Sequence, residues 1–123
     1  MTAPLDRLAT DLRTALERLG EALRQPESDI VRDAAIQRFE FSFELFWKAL
    51  KARADDEGLR VVSPREALRA AFQLSLLDDD EKVFQMLEDR NRTSHLYNAV
   101  MAEEVFARLP GYHALMSAAA ARL

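Results

Sequence analysis

A chain of 123 residues, 49% hydrophobic and 31% charged, is sized for one domain spanning residues 1–123 and has the mixture of a globular protein rather than a disordered one. Without cysteine it has no disulfide, thiolate metal site, iron–sulfur cluster or thiol nucleophile, and a net charge of −4 argues against a globally basic nucleic-acid surface while leaving room for a local arginine cluster. The opening MTAPLDRLATDLRTAL is interrupted by Asp6, Arg7, Asp11 and Arg13, and no stretch approaches the ~20 apolar residues of a membrane span, so a cytoplasmic protein with no membrane partner is expected.

Breakers are sparse, three glycines and four prolines, and they divide the chain into long segments of high helix propensity. From Leu5, the residues Leu8, Leu12, Leu16, Leu19 and Leu23 recur at spacings of three and four, the pattern of a helix with one apolar stripe that ends before Pro26. Gly20 weakens this helix without stopping it. The second segment, about Asp29 to Asp56, contains a strand-like alternation at Arg38-Phe39-Glu40-Phe41-Ser42-Phe43-Glu44. No turn residue bounds that alternation, and helix formers continue through Ala54, so a helix is expected. Wound as a helix, Phe39, Phe43, Phe46, Trp47 and Leu50 cover one face and Phe41 and Leu45 another. A helix this apolar needs cover on two sides, either inside the monomer or through a homodimer or partner interface using Phe41, Leu45 and Trp47.

Ser63-Pro64-Arg65-Glu66 reads as a helix start, with Ser63 as N-cap, Pro64 in the first turn and Glu66 completing a capping box; this third helix is expected to reach about Leu76. Asp78, Asp79 and Asp80 precede a fourth helix carrying Val83, Phe84 and Leu87. They suit its amino end better than a metal site, because adjacent carboxylates diverge around the helix while the N–H groups and dipole favour negative charge there. The last segment begins near Asn98, carries Val105, Phe106 and Leu109, and is expected to bend at Pro110-Gly111 before resuming. The fold class is all-α, an antiparallel up-and-down bundle of four to five helices.

Candidate chemistry is concentrated in Asp89-Arg90-Asn91-Arg92-Thr93-Ser94-His95-Leu96-Tyr97-Asn98, where donors are dense and one aliphatic side chain is present. Of the two histidines, His113 stands beside Tyr112 in the terminal segment and reads as packing or surface, whereas His95 lies within this polar run. If the run were helical, Asn91 and His95 would share one face and Arg90, Ser94 and Tyr97 another, with Arg90 and His95 about 140° apart. Two copies related by a twofold axis bring such divergent groups into one cleft. A plainer alternative has Arg90 and Arg92 answering Glu88, Asp89 and the helix carboxyl end, with His95 and Tyr97 finishing the helix by ordinary hydrogen bonds.

The segment Ile36-Gln37-Arg38-Phe39-Glu40-Phe41-Ser42-Phe43-Glu44-Leu45-Phe46-Trp47-Lys48-Ala49-Leu50-Lys51, followed by Arg90-Asn91-x-Thr93-Ser94-His95-x-Tyr97, resembles the nucleotidyltransferase substrate-binding protein family, a branch of the HEPN superfamily. Ser63-Pro64-Arg65 and Arg108-Leu109-Pro110 extend the resemblance over nearly the whole chain. It implies a HEPN-like helical homodimer that forms a complex with a cognate minimal nucleotidyltransferase. In the wider superfamily Arg-x4-His marks a metal-independent endoribonuclease, and Arg-x4-His-x-Tyr resembles toxins silenced when the transferase adenylylates the tyrosine. Carried onto this chain, the resemblance makes Arg90, His95 and Asn91 catalytic: Arg90 on the scissile phosphate, His95 in proton transfer and Asn91 orienting it. Arg90, Arg92 and Ser94 would bind nucleotide or phosphate, and Tyr97 would be the modification acceptor. RNA cleavage by the 2′-hydroxyl needs only proton transfer and stabilisation of a charged phosphorane, so no metal or cofactor is expected. The same resemblance also allows a noncatalytic subunit that binds nucleotide or substrate and presents it to the transferase. The chain itself lacks the Gly-Ser turn with a strand-borne Asp-x-Asp pair that a nucleotidyltransferase needs, and it lacks a Gly-rich phosphate loop.

Overall fold

The computed structural model describes residues 3–95 and 98–123, together with the backbone but not the side chain of Asp80. Among these residues there are five α-helices and no strand: α1 (Ala3–Leu23), α2 (Asp29–Asp56), α3 (Pro64–Gln73), α4 (Asp80–Arg92) and α5 (Ala99–Ala120), with a 3₁₀ turn at Thr93–His95 after α4. None of them is long and apolar enough to cross a membrane. The alternating segment of α2 is helical throughout. Phe39, Phe43, Phe46 and Leu50 return to one face every three or four residues and are buried, so helical winding sequesters four large side chains that a strand would have shared between two faces.

Helix α2 packs against all four others and forms the axis of the bundle. One continuous apolar cluster includes Leu12, Leu16 and Leu19 of α1, Phe39, Phe43 and Phe46 of α2, Leu68 of α3, Val83 and Met86 of α4, and Val105, Leu109, Tyr112 and Met116 of α5.

Local chemistry explains most of the helix ends. Ser28, Ser63, Asp79 and Asn98 are the N-caps of α2, α3, α4 and α5, each accepting a hydrogen bond from the backbone N–H three residues on. The Glu66 carboxylate reaches back to accept from the N–H of Val62, one residue before the position a standard capping box would use. Asp79 caps α4, while Asp78 turns outward to a two-pronged pair with Arg122 at 3.2 and 2.8 Å.

One expectation is revised. Helix α3 stops at Gln73 rather than near Leu76, because Ser75 adopts a left-handed φ of 61° and the chain reverses with Leu76 N–H donating to Ala71 O. Helix α5 runs through Pro110-Gly111 without interruption. Proline removes one backbone donor, but Val105 and Leu109 before it and Tyr112 and Met116 after it are all buried in the same core, which holds both halves in one helix.

Candidate functional site

The polar run lies where α4 ends against α5 and α2. Along α4 the buried stripe Val83, Met86, Leu87 continues by helical spacing to Arg90, so the arginine stem follows the core while its head emerges at the rim. Its side chain is 28% exposed and its Nη1 lies 3.8 Å from Glu40 Oε2 on α2. Nη1 also donates to Thr93 Oγ1 at 3.4 Å, and that hydroxyl in turn donates to Arg90 O at 2.7 Å, closing the last turn. Arg90 Nε is buried without a hydrogen-bond partner among the described residues. Among the described residues the guanidinium is thus held by long contacts, an arrangement that leaves it able to exchange Glu40 for another anion.

The other expected residues surround this head. Asn91 is exposed, and its carbonyl accepts from Ser94 Oγ at 3.4 Å. Arg92 lies between two carboxylates, Asp89 at 3.5 Å and Glu104 at 3.6 Å. His95 closes the 3₁₀ turn and is exposed. Because α4 ends at Arg92, the helical-wheel angle between Arg90 and His95 no longer applies; the tighter 3₁₀ turn directs Thr93, Ser94 and His95 on its own period. Tyr97 lies outside the described residues.

Beside the arginine is a feature the sequence reading missed. Asp89, only 1% exposed, accepts from Arg108 Nε at 2.6 Å, Arg108 Nη2 at 2.8 Å and Tyr112 Oη at 2.6 Å. Burial, followed by the bond to Asp89, pushes the Tyr112 phenol well above its ordinary range, and the Asp89 hydrogen bond raises the Arg108 guanidinium. Tyr112 stacks on Phe39 of α2 with ring centroids 5.6 Å apart. Arg108 and Tyr112 are four residues apart on α5, and that spacing beside an aspartate next to Arg90 was the available signal.

Of the three residues expected at an interface, two lie together and Trp47 lies apart. Phe41, 65% exposed, and half-buried Leu45 line a groove of about 530 Å³ between α1 and α2, together with Thr14, Arg18, Gln37 and Arg38. Trp47 lies about 120° around the helix from Phe41. It packs against the core and donates to Glu44 Oε2 at 3.1 Å. None of the residues from 89 to 95 lines the groove. His113 has the packing role expected of it, with Nε2 2.9 Å from Leu16 O and against Gly20, where a Cβ would meet the ring at 3.2 Å.

Comparison with known proteins places this geometry in a family. A crystal structure of a protein from Thermus thermophilus is 42% identical, superposes with a TM-score of 0.84, and is matched over 90% of this chain and 97% of its own. A protein of Haemophilus influenzae described as "Probable ribonuclease HepT" is 30% identical over 95 residues, covering 70% of this chain. That match spans 65% of the relative's own length. Residues 7–123 match the family described as "Nucleotidyltransferase substrate binding protein like", and the chain belongs to that family.

Proposed function

We propose that this protein is the cytoplasmic helical subunit of a two-component system with a minimal nucleotidyltransferase, and that it is a metal-independent endoribonuclease. The observation that carries the reading is Arg90: a half-buried guanidinium at a helix end, held by long contacts among the described residues, adjoining a turn that ends in exposed His95, in a relative of a probable ribonuclease. Arg90 would bind the scissile phosphate in place of Glu40 and stabilise charge on the phosphorane, with Arg92 and Ser94 adding phosphate or nucleotide contacts. His95, oriented by Asn91, would transfer the proton between the 2′-hydroxyl and the leaving oxygen. A single imidazole serves poorly as both acid and base in one step, so a homodimer presenting two sites completes the machinery. Adenylylation of Tyr97, two residues after His95 in the sequence, by the transferase would silence it by adding a bulky anion.

The test is cleavage of total tRNA and messenger RNA by purified protein in EDTA. Wild type should cut, and His95→Ala and Arg90→Ala should each lose about 10²-fold or more while keeping the fold. A second reading takes support from the family's own description: the same cleft binds nucleotide and presents it to the transferase without cleaving RNA. Intact RNA with wild type and unmodified Tyr97 by mass spectrometry, together with nucleotide binding that Arg90→Ala weakens, would establish that reading instead.

A further inference from the structure

Arg90 is the residue on which the proposed chemistry turns, yet it is weakly held, whereas its neighbour Asp89 is held tightly. The contacts of Arg90 to Glu40 and Thr93 are 3.8 and 3.4 Å long, while Asp89 accepts three hydrogen bonds of 2.6 to 2.8 Å. Charge-assisted bonds of that length in a fork arrangement are the strong and directional ones. Stability alone is a poor reason to bury such a carboxylate, since well-packed apolar replacements of buried ion pairs are often neutral or stabilising. What the cluster supplies is position.

The connections run through consecutive residues on α2 and on α4, joined by α5. Phe39 of α2 stacks on Tyr112 of α5, and Tyr112 bonds Asp89 of α4. One residue along on α2 and on α4, Glu40 faces Arg90. Arg108, the other α5 anchor, grips both oxygens of Asp89, so the carboxylate can neither rotate nor slide without breaking two bonds. The last turn of α4 thereby has its rotation and axial position set from α5, and the Arg90 Cα, one residue on, is placed by that turn.

We propose that Asp89 is a positioning residue which, through Arg108 and Tyr112, sets where the Arg90 guanidinium and the Thr93–His95 turn stand. The role rests on the reading of Arg90 and His95 as the functional site, but its structural consequence can be measured without that reading. The buried Arg90 Nε–H is a direct reporter: shielded from solvent, it should give a slowly exchanging ¹⁵N resonance, assigned by its loss in Arg90→Lys.

Two variants are informative. Tyr112→Phe keeps the ring on Phe39 and removes one donor; Arg108→Lys keeps the charge but loses the fork. Each should shift or broaden the Arg90 Nε resonance and speed its exchange. In cleavage of total tRNA each should lower kcat about tenfold or more, with KM changed less, because a displaced catalytic group costs more in the transition state than in binding. Variants that melt earlier but keep the wild-type Arg90 resonance would make Asp89 a stability residue and overturn the proposal. If wild type leaves tRNA intact, the nuclease reading fails, and the resonance still decides whether Asp89 positions Arg90.

Discussion

Ser75 ends α3 with a φ of 61°, in the left-handed region where a Cβ is disfavoured. It is tolerated because the turn closes two backbone bonds, Ser75 N–H to Phe72 O and Leu76 N–H to Ala71 O, and because Arg122 donates to Ser75 O. Ser75→Gly removes the steric cost, partly offset by the added freedom of the unfolded chain, and should stabilise the protein by up to about 1 kcal/mol, read as a higher midpoint in urea. The corresponding position after α2 is already glycine, Gly58 at φ 79°. Tyr112 makes a second prediction, in pH. Its phenol ionises less readily folded than unfolded, through burial and the charge of Asp89, with Arg108 opposing. The folded state therefore holds the proton more tightly, and this contribution is whole below the ordinary tyrosine value of about 10 and lost as pH rises above it. Thermal melts from pH 8 to 11 should show wild type losing stability more steeply than Tyr112→Phe, the difference opening above about pH 10.

At the scale of elements, α2 is where local pattern and packing disagree most in appearance and least in outcome. Phe39 and Phe43 are buried on its inner face, and Phe39 also backs the Tyr112 ring. Phe39→Ala should cost about 3–5 kcal/mol by loss of burial and the cavity left behind, enough to be seen as a large fall in the denaturation midpoint. Ser63 has a smaller task, one hydrogen bond to Glu66 N–H at the head of α3, and Ser63→Ala should cost about 1 kcal/mol. The caps of α3 and α4 were legible because each lies within three residues of the N–H it satisfies. The end of α3 was not, because no residue type at position 75 announces a left-handed turn in the way glycine does at 58.

For the whole molecule, the open question of α2 is its second apolar side. The monomer covers Phe39, Phe43, Phe46 and much of Trp47, and leaves Phe41 facing solvent over the α1–α2 groove. On the proposed homodimer, Phe41→Glu should halve the solution mass by light scattering with helical circular dichroism retained; an unchanged dimer would remove Phe41 from that interface. Helix content, the N-caps at Ser63 and in the Asp78–Asp80 run, and the inner face of α2 could be read from the sequence, because helical period and capping chemistry act over a few residues. The surroundings of Arg90 could not. Asp89 meets Arg108 and Tyr112 across 19 and 23 residues, and Glu40 approaches from a different helix again. Period determines which face of a helix a side chain occupies, whereas only the packing of α4 between α5 and α2 determines which charge it meets there.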